Sequence, residues 1–219
     1  MKELHIKKLT VGKGEILPEQ IPALFEKEQV TYQTVDTVNW EEYPYKPDMT
    51  FAIAHTGDRI LLHYHVTEQS VRAVAPADNG RVWEDACVEF FIQPDEHEKT
   101  YYNFECNCAG TLLIEFGPVG NRTHAPSKAL ESVQRWASLG RTPFEEKVGQ
   151  CTWDLTLIIP VSAFFQHTLT ILDGKEARAN FYKCGDLLQV PHFLSWNPIK
   201  LPKPCFHCPD FFGKIYFDR

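Results

Sequence analysis

Proline or glycine interrupts this chain every few residues, and that spacing restricts its fold more than any other feature. Fifteen prolines and twelve glycines are spread along 219 residues. Proline fixes φ and removes a backbone donor, so it ends helices and settles at turns and strand edges. Long helices have little room. Between the breaks lie short runs that alternate apolar and polar residues, the pattern of strands joined by turns.

The alternation assigns faces. Residues 82–93 read as one strand, with Ala86, Val88, Phe90 and Ile92 on one side and Asp85, Cys87, Glu89 and Phe91 on the other. Residues 100–107 put Tyr102, Phe104 and Cys106 together, opposite Tyr101, Asn103, Glu105 and Asn107. Residues 50–56 and 59–67 form a hairpin about Gly57-Asp58, and residues 111–116, 132–139, 151–160, 177–183 and 213–217 are further strands. Residues 117–128 read as a long polar loop. Helix is confined to residues 18–29, where Ile21, Leu24 and Phe25 share a face, and to a turn over residues 161–166. Roughly ten strands with one or two short helices predict an all-β fold. The expected architecture is a two-sheet antiparallel β-sandwich, jelly-roll or immunoglobulin-like, with residues 1–219 as one domain.

Charge narrows the partners. The net charge is -7 and no Lys/Arg stripe is present, so a nucleic-acid backbone is not an expected partner. No apolar run approaches the roughly 18 residues of a membrane span, and no membrane partner is expected. The first nine residues carry charge and no apolar h-region, which points to the cytoplasm, or to export if a leader has been removed. Seven cysteines, an odd number without framework spacing, agree with a reducing compartment.

Neutral sugars are held by aromatic rings stacked on their C–H faces and by planar polar groups on their hydroxyls. Trp83, in Arg81-Val82-Trp83-Glu84-Asp85 ahead of Glu89, and Trp196, in Ser195-Trp196-Asn197-Pro198, offer both kinds of group. Trp40, Trp136 and Trp153 read as core. Arg178, Asn180 and Tyr182 share one strand face, and Arg59, His63 and His65 another. Each is either a solvated sheet surface or the lining of a groove. Two competing readings remain. Asp85, Glu89, Glu105 and Glu115 could pair as the carboxylates of a glycoside hydrolase, but no motif assigns an acid and a base, so no catalytic residue is named. Cys106-x-Cys108 and Cys205-x-His207-Cys208 invite a zinc-stabilised structural or interaction domain. The alternation sends Cys106 and Cys108 into the core as inert thiols, and no metal ligand is assigned.

Several stretches together resemble the family 9 carbohydrate-binding modules: Val-Trp-Glu-Asp-Ala-Cys-Val-Glu-Phe-Phe-Ile (82–92), Tyr-Tyr-Asn-Phe-Glu-Cys-Asn-Cys-Ala-Gly (101–110), Trp-Asp-Leu-Thr-Leu-Ile-Ile-Pro (153–160), Ala-Arg-Ala-Asn-Phe-Tyr-Lys-Cys-Gly-Asp (177–186), His-Phe-Leu-Ser-Trp-Asn-Pro-Ile (192–199) and Phe-His-Cys-Pro-Asp-Phe-Phe-Gly-Lys-Ile-Tyr-Phe (206–217). The resemblance implies a β-sandwich and a slot in which two tryptophans hold a sugar ring. Here these would be Trp83 and Trp196, with Glu89 as a hydroxyl acceptor and Arg81, Asn107, Arg178 and Asn180 as further contacts. It implies non-catalytic binding of an oligosaccharide or polysaccharide in support of carbohydrate catabolism, often beside a glycoside hydrolase. Structural calcium occurs in better-known members, but no Asp/Asn ligand run carries it over to this chain, and no other cofactor is implied.

Overall fold

The computed structural model describes residues 1–11 and 16–219. Fourteen strands are described: β1 (Glu3–Lys8), β2 (Gln33–Thr34), β3 (Thr37–Val38), β4 (Asp48–His55), β5 (Arg59–Ala73), β6 (Cys87–Gln93), β7 (Tyr101–Asn107), β8 (Leu112–Gly117), β9 (Thr123–His124), β10 (Gln134–Ala137), β11 (Phe144–Pro160), β12 (Glu176–Cys184), β13 (Phe193–Ser195) and β14 (Gly213–Phe217). Two short α-helices, α1 (Ile21–Lys27) and α2 (Ser127–Ser132), complete the main elements.

The strands form one curled sheet whose halves pack as a sandwich. The front half runs β14-β12-β6-β7-β8-β9 and the back half β4-β5-β11-β10. Strand β1 turns the corner between them: Glu3–Ile6 pair with β14, then Lys7 and Lys8 pair with β4. Both of these ladders are parallel, whereas the other pairs are antiparallel. On β12, one edge carries β6, and the other is shared end to end by β14 and β13.

Alternation supplies the inner faces as expected. Val88, Phe90 and Ile92 of β6 and Tyr102, Phe104 and Cys106 of β7 meet Leu62, Tyr64, Trp153, Leu155 and Leu157 of the back sheet in one buried cluster. Phe181 stacks on Phe51 across the interface with ring centroids 3.7 Å apart. Each such ring contributes roughly 1.5–3 kcal/mol of burial, which is what offsets the ordering of the strands.

Three local expectations are corrected. The strand expected from residue 82 begins only at Cys87, after a 3-10 turn at Val82–Glu84. The Asp85 carboxylate accepts the backbone N–H groups of Val74 and Ala75 and the Asn107 amide, which pulls the chain inward before pairing starts. The polar loop at residues 117–128 contains β9 and the first residues of α2. Strand β11 starts at Phe144, because register shifts near Phe144/Lys147 and Val148/Cys151 keep it paired with β5 past Gly149.

The outer face of the front sheet is not open to solvent. All seven residues of β6 are buried, so both of its faces are covered. Cys87, Phe91, Tyr101, Tyr182, Trp40, Phe206 and Phe212 form a second apolar cluster there, beneath the segments around residues 40–43 and 199–212. That cover leaves a gap over the middle of β6, β7 and β8.

Candidate functional site

The gap is a cavity of about 330 Å³. Its floor is polar: Glu89 from β6, Glu105 from β7 and Glu115 from β8 project from the outer sheet face, with Cys184 of β12 alongside. Its walls carry Trp83 and Asp186 on one hand and Phe193, Phe206 and His207 on the other. The Trp83 wall is stitched to the segment after β12, since Asp186 N–H donates to the Trp83 carbonyl and Leu187 N–H to that of Glu84. Trp83 is half-buried, and the Arg81 guanidinium lies 5.7 Å from its ring centroid while pairing with Glu84 at 2.6 Å.

The floor carboxyls sit in an apolar setting that disfavours their charge. Glu89 is 2% exposed; one oxygen accepts the Cys184 thiol at 3.0 Å, and Oε2 is buried without a hydrogen-bond partner. Burial, then the neighbouring Cys184 and Glu105, hold the Glu89 carboxyl well above the ordinary carboxylate range. Burial pushes Glu105 up to about 8, with Glu115 adding to it and the Asn103 hydrogen bond opposing it. Burial and then Glu84 raise Asp186 to about 6. Glu89 and Glu105 are therefore neutral carboxylic acids near neutral pH, each able to donate one hydrogen bond and accept others.

The far end of the floor is charge-balanced. Asn103 donates to Glu105 at 2.8 Å and to Glu115 at 3.2 Å. Arg122 donates to the Asn103 and Gly117 carbonyl oxygens and lies 3.9 Å from the Tyr101 ring centroid. His124 reaches Glu115 at 3.1 Å. Burial and then Arg122 lower His207 to about 4, so its ring is neutral. Burial raises Tyr101 to about 12, so its hydroxyl keeps its proton, and it shares a hydrogen bond with His207 Nδ1, 2.8 Å away.

The sequence candidates separate. Trp83 and Glu89 line the cavity, and Arg81 reaches it only through its guanidinium beside the Trp83 ring. Trp196 is not: it is 1% exposed, edge-on to Phe51 and Phe181 in the sandwich core. A Cβ on Gly213 would come within 2.5 Å of its ring. The expected two-tryptophan clamp does not assemble, because Trp196 is packed on the inner side of the sheet whose outer side bears Glu89. Asn107 is buried and spent, donating to Asp85 and accepting the Ala109 and Thr111 N–H groups. Asn180 is likewise consumed, by Asn197 and the Phe181 N–H. Arg178 donates to the Asp210 and Phe212 carbonyls and borders a different hollow, with Glu176 and Lys214. The carboxylate candidate Asp85 is fully buried in its backbone cradle.

Asp186, Phe193, Phe206 and His207 complete the cavity without having been singled out as sugar contacts. The alternation of β7 had already put Glu105 on the Tyr101 and Asn103 face. His207 had been marked only as part of a candidate zinc motif, and no alternation ties it or Phe206 to the sheet face they cover.

Metal chemistry is restricted by the same geometry. Among the described residues, Cys87, Glu89 and Cys184 form a group whose ligand atoms lie within 4.8 Å of one another. Two sulfurs and one carboxylate do not fit calcium, which takes six to eight oxygens. Among the described residues no such group takes in Cys106, Cys108, Cys205, His207 or Cys208, so the two sequence pairs do not converge as a zinc site.

A sequence profile of carbohydrate-binding family 9 matches residues 19–217. A candidate carbohydrate-binding protein from Bacteroides uniformis is 56% identical over 99% of both chains, and its crystal structure superposes with a TM-score of 0.96. A family 9 module from Caldicellulosiruptor kristjanssonii, solved with glucose, superposes with a TM-score of 0.58 at 11% identity over 100% of this chain and 97% of that one. A family 9 module from the same organism, solved with cellotriose, gives 0.58 at 9%, covering 99% and 94%. These last two establish likeness of fold. No curated protein sequence matches the chain.

Proposed function

The chain belongs to carbohydrate-binding family 9, and from that premise we propose that it binds a sugar in the Trp83 cavity without changing it chemically. The observation that carries this reading is Glu89 Oε2, buried, unpartnered and on the floor of an open cavity walled by aromatic residues. A buried polar atom without a partner costs roughly 1–3 kcal/mol, and a ligand hydroxyl would recover that. Neutral acids at Glu89 and Glu105 suit hydroxyls, which both donate and accept. Trp83 supplies one stacking face, so the ring is held from one side where a two-tryptophan slot would hold it from both.

The complexes of the Caldicellulosiruptor module with glucose and cellotriose support a glucose-type ligand as the first to try. A part in oligosaccharide or polysaccharide catabolism, alongside a glycoside hydrolase, belongs to the same proposal. The test is a titration with mono- and oligosaccharides followed by tryptophan fluorescence, in wild type and in Trp83→Ala. Saturable binding lost in the variant supports the reading. A folded wild type that answers to no sugar, or that releases product from the panel, overturns it.

A further inference from the structure

Resting on sugar binding at this cavity, we propose that its ligand carries a protonated amine: an amino sugar, placed with its ammonium group against Glu89. Four carboxyls line the cavity, those of Glu89, Glu105, Glu115 and Asp186, and no lysine or arginine does. Among the described residues only Glu115 of these has a basic partner within 4 Å, in His124 and Arg122. Glu89, Glu105 and Asp186 have no ion-pair partner among the described residues.

Nearby cations are committed elsewhere. Arg122 is held by the carbonyl oxygens of Asn103, Gly117 and Tyr101. Arg81 is tied to Glu84 at the rim. Lys183, on the opposite face of β12, pairs with Glu68 at 2.9 Å inside the sandwich. His207, the one basic group on the wall, is uncharged near neutral pH.

Glu89 and Glu105, buried without counter-charge, stay protonated because nothing present stabilises the anion. A ligand hydroxyl can satisfy the hydrogen bonds but leaves the carboxyl protonated. An ammonium beside Glu89 lets that carboxyl give its proton to solvent and pair as the anion, donates up to three hydrogen bonds, and is tolerated against the Trp83 ring face. A uronic acid would bring a fifth carboxylate to a cavity with no cation to receive it. Glu89 Oε2 marks the position, since among the cavity's four carboxyls it is the buried oxygen without a hydrogen-bond partner.

The experiment compares three trimers with the same β-1,4 glucose-type backbone by calorimetry: the fully deacetylated glucosamine trimer, its N-acetylated form, and cellotriose. Wild type is expected to bind the free-amine trimer about tenfold or more tightly than the other two, with a preference that shrinks as salt is raised. Glu89→Gln, and separately Asp186→Asn should the first not fold, is expected to reduce that preference severalfold, read as the ratio of free-amine trimer to cellotriose affinity within each variant. Equal or tighter binding of cellotriose by wild type overturns the amine inference and leaves sugar binding intact. Failure of all three trimers to bind a folded wild type overturns both.

Discussion

Glu89 and Glu105 stand directly opposite one another on the antiparallel strands β6 and β7, 2% and 3% exposed, with neither paired to a cation. Two carboxylates in that position cannot both ionise cheaply, and burial keeps each protonated past the pH at which it would ionise in an unfolded chain.

The pH dependence of folding follows from the sign of those shifts. A carboxyl raised in the folded state stabilises fully below its unfolded value, near 4.5, and that contribution is lost as pH rises through the folded value, about 8 for Glu105. Over this window the folded chain holds a proton that the unfolded chain does not, so stability falls by up to about 1.4 kcal/mol per pH unit for each such group. Glu89 shifts in the same direction. Thermal melts from pH 5 to 8 are expected to show a falling Tm, and Glu105→Gln is expected to flatten the slope.

The two candidate tryptophans separate by energetics. Trp196→Ala empties a core position and is expected to cost about 3–5 kcal/mol of stability. Gly213→Ala drives a methyl into the Trp196 ring and the Lys2 carbonyl and is expected to cost about 1–3 kcal/mol. Trp83→Ala is expected to leave stability within about 1.5 kcal/mol while weakening sugar binding by roughly 2 kcal/mol, about thirtyfold. Urea unfolding and binding isotherms on the three variants check this.

Asp85 closes the turn that presents Trp83. Its removal leaves the Val74 and Ala75 N–H groups and the Asn107 amide without their acceptor. Asp85→Ala is expected to cost about 2–4 kcal/mol in the same unfolding assay.

Cysteine labelling reports on the cavity mouth. Cys205 is exposed and lines the cavity, whereas Cys87, Cys106 and Cys184 are buried. Iodoacetamide is expected to modify Cys205 readily in the native protein and the buried three only after unfolding, by mass spectrometry of timed samples. A saturating sugar ligand is expected to slow Cys205 labelling and to leave Cys151, which lies away from the cavity, unchanged.

The face of each β6 and β7 residue was legible because side-chain direction alternates locally, residue by residue. Glu89 and Glu105 could be put on one face for that reason. The fate of Trp196 was not legible. Its neighbours Ser195 and Asn197 look like loop residues, yet both are buried and bonded, Ser195 to Asn39 and Asn197 to Asn180. Those partners are far away in sequence, as are the Phe51 and Phe181 rings that receive the indole. The same holds for β1, whose charged run hides two parallel pairings at a sheet corner. Trp83 was readable as a candidate, but part of the cavity lining comes from residues 204–207, which no periodicity ties to β6.

The central claim is that the ligand lies over Glu89 beside Trp83, and a crystal structure of the protein with a sugar from the titration panel tests it most directly. The account predicts a ring stacked on Trp83 with a polar ligand atom about 3 Å from Glu89 Oε2. Sugar density in the hollow beside Arg178 or in the groove lined by Tyr45, Gln69 and Gln150, with the Trp83 cavity holding none, would contradict it.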